Sequence, residues 1–327
     1  MKPKPTLKTI AALSGYAVPT VSRALSDAPD IAESTRRKVQ QIAREVGYMP
    51  NRGGLRLKTG KTFTIALVLG IGDRVSEHAG RLIASVANQL RPTAYSLIVT
   101  TYSEKEGDPL EAVKRVVENG LADAIIIEQI ETRDARVRYM LDAGFPFAIY
   151  GRCAWPEPVA SYDFDNAAFG AIAARALLEK GRRRILCVAP PRSQTYTAAL
   201  LGGLGETLAP AGGTLDILEG VHGQTDTEAG RARLAQRLAE GDPPEGIVCC
   251  STSDTLAVLR QLRRRGLVPG RDVDLFTKES YPMVRDFEPA VMSLTEDVEA
   301  AGRFLADAAV TVIERPEAPR PSFVDRP

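Results

Sequence analysis

Between Thr6 and Leu25 the chain reads Thr-Leu-Lys-Thr-Ile-Ala-Ala-Leu-Ser-Gly-Tyr-Ala-Val-Pro-Thr-Val-Ser-Arg-Ala-Leu. This run constrains the fold more than any other. Leu7, Ile10, Ala11 and Leu13 recur with a helical period and predict one apolar face on a first short helix. Gly15 falls where a tight turn needs a residue tolerant of positive φ. A second helix follows, with Val21, Ala24 and Leu25 expected inward and Val18, Pro19, Thr20, Ser22 and Arg23 outward. Two short helices joined by such a turn form a helix-turn-helix. A helix face carrying Arg and small side chains suits a DNA major groove, where a guanidinium pairs with guanine and apolar atoms meet a thymine methyl.

Charge is distributed in the same sense. Residues 1–62 hold twelve Lys/Arg against four Asp/Glu, a net of +8, and the remaining residues hold 30 against 37, a net of −7. The near-neutral total of 42 and 41 therefore hides a basic head on an acidic body. A localised basic head is the electrostatic footprint of phosphate binding. The body, about 265 residues, is long enough for two lobes. Lys2, Lys4 and Lys8 lead into an amphipathic helix rather than an apolar leader, and no apolar run is long enough to span a bilayer, so a cytoplasmic protein is expected. Cys153, Cys187, Cys249 and Cys250 lack metal or redox spacing and read as small hydrophobes under reducing conditions.

A third helix is predicted from Asp30 onward, with Val39, Ile42, Ala43 and Val46 as its stripe and Gly47 as its stop. Asn51 is a plausible N-cap for a short segment ending at Lys58. Gly53 and Gly54 each cost that segment about 1 kcal/mol as helix, so alone it is expected to be unfolded.

From Phe63 the pattern changes. Apolar runs at 64–69, 95–100, 124–127 and 147–150 alternate with helical stretches at 81–90, 109–119 and 134–143. Such alternation implies βαβ units and a parallel sheet. It restarts beyond Tyr162, with strands at 184–189, 216–218, 246–250, 273–276 and 291–294, and a last helix at 298–313. The expected architecture is an N-terminal all-α head (1–50), a hinge segment (51–62) and an α/β body of two Rossmann-like lobes (63–327). The first lobe is expected to comprise about 63–162 plus 291–327, and the second about 163–290. Ligands in open α/β sheets lie beyond the strand C-termini, which makes the cleft between the lobes the candidate site.

Thr20-Val-Ser-Arg23, Gly47-Tyr-x-Pro-Asn51 and Thr59-Gly-Lys-Thr62, at these spacings, resemble the lactose/galactose-repressor (LacI/GalR) family. Matches continue through Asp165-Asn166, Gly181-Arg-Arg-Arg-Ile185, Ser253-Asp254-x-x-Ala257 and Pro289, so the resemblance covers essentially the whole chain. It implies a DNA head, a hinge, and a periplasmic-binding-protein-like body that senses a small metabolite. It also implies a dimer or a tetramer; a tetramer-forming leucine heptad would need more chain after the last helix, so a homodimer on a pseudo-palindromic operator is expected. No cofactor is expected, and no His/Cys/Asp/Glu cluster suggests a metal. The residues assigned to DNA are Thr6, Val18, Pro19, Thr20, Ser22, Arg23, Asn51, Arg52 and Leu57, the last as the minor-groove wedge of the family hinge.

Those assigned to the effector are His78, Arg152, Asp165, Tyr196, Asp254, Lys278 and Glu279. Each has a plainer alternative. Asp165 and Asp254 either accept from ligand hydroxyls or cap their helices, and Arg152 faces the cleft or the outside. Tyr196 and Trp155 either stack on a sugar ring or pack, and His78 is a donor or an ordinary loop residue. Lys278 either meets an acid group on the ligand, making a sugar acid conceivable, or pairs with Glu279 or solvent.

Several positions depart from the family. Ala17 replaces the usual Ser N-cap of the recognition helix, costing on the order of 1 kcal/mol. The hinge reads Gly53-Gly-Leu-Arg-Leu57. Leu200 stands where an Arg often clamps the sugar, and Thr277-Lys278-Glu279-Ser280 replaces a Gly-Phe-Asp-Asp.

Catalysis is not expected. Gly60-Lys-Thr62 mimics the end of a P-loop, but the required earlier glycine is Leu55 and the segment precedes a strand. The two histidines, His78 and His222, stand in unrelated contexts. A free periplasmic-type sugar-binding protein would leave the basic head idle and need an export signal. An activator would share every feature of a repressor.

Overall fold

The computed structural model describes residues 5–48, 56, 59–70, 77–103, 107–220, 228–240 and 243–327. The chain divides into two compact units, Met1–Thr62 and Phe63–Pro327.

In the first unit, α1 (Leu7–Ser14), α2 (Val18–Leu25) and α3 (Glu33–Glu45) enclose a small core of Ile10, Val21, Ala24, Val39 and Ala43. Gly15 takes φ 78° and ends α1. Leu13 corrects its expectation: it is 57% exposed, because Ser14 and not Leu13 turns into the core. The α3 helix starts at Glu33 without a side-chain cap. Of the expected hinge, Asn51, Arg52, Gly53, Gly54 and Leu57 lie outside the described residues.

The second unit holds two parallel sheets. The first contains β1 (Thr64–Gly70), β2 (Ser96–Tyr102), β3 (Ala124–Ile127), β4 (Phe147–Tyr150), β5 (Ala160–Phe164) and β11 (Ser322–Asp325), in the order β11-β5-β4-β3-β1-β2. The second contains β6 (Arg184–Val188), β7 (Thr214–Leu218), β8 (Gly246–Cys249), β9 (Asp274–Glu279) and β10 (Met292–Thr295), in the order β10-β9-β8-β6-β7. Helices connect them: α4 (Glu77–Leu90), α5 (Pro109–Glu118), α6 (Ala135–Asp142), α7 (Asn166–Glu179), α8 (Thr195–Leu208), α9 (Glu228–Arg237), α10 (Thr252–Arg264), α11 (Met283–Phe287) and α12 (Val298–Glu314).

Continuous apolar strands exist here because both sheet faces are covered. On β1, Ile65, Leu67 and Leu69 meet Leu82 and Val86 of α4 and Leu305 and Ala309 of α12. Ala66 and Val68 point the other way, to Val113 and Val116 of α5 and Val137 and Met140 of α6. The second sheet repeats this scheme, with α7 and α8 on one face and α9, α10 and α11 on the other. Helices α7 and α8 lie so close that a Cβ on Gly203 would stand 2.1 Å from the carbonyl oxygen of Ala167. Among the described residues no helix is long and apolar enough to cross a membrane.

Sheet membership shifts the expected lobe boundaries. β5 reaches Phe164 in the first sheet, and β10 pairs in parallel with β9 in the second, Met292 opposite Phe276. The chain therefore passes between sheets at Asp165–Asn166 and again at Glu296–Asp297, and α12 with β11 completes the first sheet's layer.

Candidate functional site

The second helix of the head turns its expected DNA-reading face to solvent. In α2, Pro19 and Arg23 are exposed and Val18, Thr20 and Ser22 half-exposed, opposite the buried Val21 and Ala24. This face is shallow and small-residued, with one long cation, as a major groove requires. Arg23 ion-pairs with Asp30 at 2.5 Å, so a base or phosphate contact must compete with that carboxylate. Thr6 caps α1: its hydroxyl accepts from the amide of Thr9 at 3.3 Å, and Thr9 returns the bond to the amide of Thr6 at 3.1 Å. Ala17 begins α2 with extended backbone (φ −63°, ψ 148°) and no side-chain acceptor.

In the body, a cavity of about 190 Å³ lies beyond the strand C-termini, walled by both sheets. It follows from parallel βαβ topology, which brings the loops after β3, β4, β6, β8 and β9 to one edge. Its lining is dominated by ionic pairs. His78, on α4, stands 3.4 Å from Glu128, which immediately follows β3. Arg152, just past β4, pairs with Asp163 of β5. Lys278, on β9, pairs with Glu296 at 2.8 Å and donates to Oδ1 of Asn166 at 3.0 Å. Glu296 also accepts from the Tyr150 hydroxyl. The Lys278 ammonium lies 4.8 Å from the ring centre of Phe164 and 5.6 Å from that of Tyr196, within cation–π range. Four carboxylates (Glu128, Asp163, Asp254, Glu296) thus face two permanent cations (Arg152, Lys278) and one histidine.

These pairings set the protonation states. Burial alone would depress the His78 pKa, but the hydrogen bond and charge of Glu128 outweigh it and raise it above 6.5. Burial pushes the Asp163 carboxyl up, and Arg152 only partly reverses this. Burial also works against ionised Glu296, yet Lys278 and His78 hold its pKa below the ordinary glutamate value. Burial raises the hydroxyls of Tyr150 and Tyr196 well above theirs, keeping both as neutral donors.

Five of the expected effector residues line this cavity: His78, Arg152, Tyr196, Asp254 and Lys278. Asp165 does not. It caps α7, accepting from the amide of Ala168 at 3.0 Å, and the next residue, Asn166, faces the cavity instead. Glu279 does not either. Strand alternation turns it away from Lys278 into the protein, where it accepts from the amide of Val284 at 2.6 Å. Lys278 accordingly pairs neither with Glu279 nor with solvent. Asp254 is not a cap, since Ser251 takes that place. Leu200 is buried in the core, and Trp155 packs outside the cavity, its indole N–H donating to the carbonyl of Asp134 at 3.0 Å. Glu128, Asp163 and Glu296 were missed. A signal existed for Glu128 and Glu296, each one residue beyond the C-terminus of a strand.

Comparison with known proteins agrees with both halves of this description. Residues 6–51 match the lacI family of bacterial regulatory proteins, and residues 174–327 a periplasmic binding protein-like domain. The HTH-type transcriptional regulator RafR of Escherichia coli is 30% identical over 311 residues, covering 94% of this chain and 92% of RafR. The chain belongs to the LacI family. Among solved structures, a transcriptional regulator CelR–cellobiose complex superimposes with a TM-score of 0.69 at 24% identity, covering 99% of this chain and 97% of that one. The lac repressor dimer bound to operator and the anti-inducer ONPF gives a TM-score of 0.79 at 19% identity, with the same coverage. As a LacI-family member the protein is a DNA-binding transcriptional regulator with an effector-binding body. Its similar proteins are regulators rather than enzymes.

Proposed function

We propose that this regulator is a cytoplasmic repressor that binds a pseudo-palindromic operator as a homodimer and is released or retained by a neutral sugar in the body cleft. The head reads the operator through Val18, Pro19, Thr20, Ser22 and Arg23. Asn51, Arg52 and Leu57 extend that contact. Twofold symmetry then places one α2 in each half-site. The lac repressor is a dimer where it is bound to its operator, and CelR is complexed with cellobiose.

The observation carrying the choice of effector is the charge inventory of the cleft. Both permanent cations are already paired with a cavity carboxylate, and two more carboxylates remain in the lining. A ligand carboxylate or phosphate would meet a net negative wall, whereas sugar hydroxyls find acceptors in the carboxylates and donors in Tyr196, Asn166 and Arg152. Lys278 is thereby a poor anchor for a sugar acid, since its ammonium is held by Glu296.

Thermal denaturation of the full chain with neutral sugars, sugar acids and sugar phosphates tests the assignment. A neutral sugar at 100 times its dissociation constant should add about 2.7 kcal/mol to the apparent stability, and the acids and phosphates should add nothing. Stabilisation by the acids alone would overturn it.

A further inference from the structure

The backbone that carries Glu128 is held from the far side of the sheet. In β3, Ala124 and Ile126 pack towards α4 and α12, and Ile125 and Ile127 towards α5 and α6. The same alternation turns the next residue, Glu128, towards α4 and His78. Arg136 stands on the α6 side. Its Nη2 donates to the carbonyl oxygens of Glu128 at 3.1 Å and Gln129 at 2.9 Å.

Arg136 is buried, and each of its nitrogens has a partner. Nε and Nη2 donate to the two carboxylate oxygens of Asp134 at 3.0 and 2.6 Å, and Nη1 donates to the Tyr102 hydroxyl at 3.3 Å. Asp134, equally buried, also accepts from the amides of Glu131 at 3.1 Å and Arg136 at 2.9 Å. The pair thus grips the segment 128–134 at Glu128, Gln129 and Glu131. Between these points the carbonyl of Ile130 accepts from the amide of Thr195, at the start of α8, at 2.8 Å. One segment meets the cleft histidine through Glu128 and the second sheet's layer through Ile130.

Two observations tie this grip to the cleft rather than to folding alone. The attraction within a buried ion pair barely exceeds its desolvation cost, and apolar replacements are often neutral or stabilising. Packing of α6 therefore does not by itself call for a guanidinium. Gln129, moreover, holds φ 58°, a left-handed conformation that a non-glycine residue keeps only where its surroundings impose it. The two carbonyls that Arg136 binds belong to the peptide units on either side of the Gln129 Cα, so the guanidinium fixes that conformation directly.

Taking the cleft as the effector site, we infer that Arg136 is a positioning residue of that site. By holding both peptide units beside Gln129 it directs the Glu128 carboxylate onto His78, although Arg136 itself does not line the cavity.

Imidazole NMR on the histidine-labelled full chain tests this without any ligand, so its failure leaves the sugar reading of the cleft untouched. His222→Gln makes His78 the chain's only imidazole. The charged and titratable groups facing His78 are Glu128, Glu296 and Lys278, with the Tyr150 ring 5.5 Å away. In the natural chain His78 should titrate above its ordinary 6.5. Arg136→Met with Asp134→Asn removes the pair together and leaves no uncompensated buried charge. His78 should then titrate at or below its ordinary value, where burial takes it. Tyr102→Phe, which removes one acceptor and keeps the pair, should move His78 the same way by less, and it decides alone if the double variant does not fold. Val137→Ala opens a cavity in the core beside α6 and should leave His78 unmoved, which separates positioning from lost stability. An unchanged His78 in the folded variants of the Arg136 cluster overturns the inference. So does an equal fall in Val137→Ala, or a natural His78 at or below its ordinary value.

Discussion

Glu128 lies one residue past β3 and governs a histidine fifty positions earlier in the chain. Because His78 is raised in the folded protein, its protonation favours folding. That contribution is fully present below pH 6.5 and is lost as pH rises through the raised folded value. Melting temperatures measured across this window should therefore fall for the natural chain, and His78→Gln should flatten that slope. The groups facing His78 are Glu128, Glu296 and Lys278. Glu128→Gln should abolish the slope as well, since it removes the carboxylate that raises His78. A second residue pair separates binding from folding. Asp165→Ala should lose about 1 kcal/mol of stability as a lost N-cap and keep effector affinity. Asp254→Ala should weaken sugar binding in a calorimetric titration. The opposite assignment of the two losses would return Asp254 to a structural role. Sequence left these two aspartates equivalent, each near a helix start. Only the φ/ψ path at each helix entrance decides which one caps, and that path depends on tertiary packing.

Elements were legible where one physical signal dominated. Runs such as Ala124–Ile127 and Phe147–Tyr150 are apolar throughout because both sheet faces are covered, and their bounds could be read directly. β5 could not, because Ser161 and Asp163 are polar yet buried, the first bonded to Ser322 and the second to Arg152. β11 pairs along β5, Ser322 bonding Ser161, and its exposed and half-exposed residues carry no alternating apolar pattern. The missing cap of α2 was visible from Ala17 alone, and the structure adds that its backbone already has extended geometry. Ala17→Ser should therefore supply an acceptor without rearrangement and stabilise α2 by about 0.5–2 kcal/mol. Slower amide exchange across residues 18–25 of the full chain is the measurement. Unchanged or faster exchange would mean the first-turn amides are already satisfied elsewhere.

At the scale of the whole molecule, the separation of charge is the property that composition alone conceals. A net +8 within residues 1–62 and −7 in the remainder gives each unit its own partner and its own electrostatics. The acidic body does not assist DNA binding, so affinity must come from the head. Each phosphate contact contributes a slope of about −0.9 to the logarithm of affinity against the logarithm of salt concentration. A dimer presents two heads, so the operator complex should weaken steeply as salt rises. The chain's division at Thr62 and Phe63 allows the two functions to be taken apart. A fragment of residues 63–327 retains both sheets and every residue of the cleft. It should bind the effector sugar with unchanged affinity, measured by calorimetry, while losing all retention of operator DNA in a gel-shift titration. A shallow salt response of the full chain would remove the phosphate-binding role from the basic head. DNA binding by the fragment would place the interface on the acidic body, where its charge opposes it.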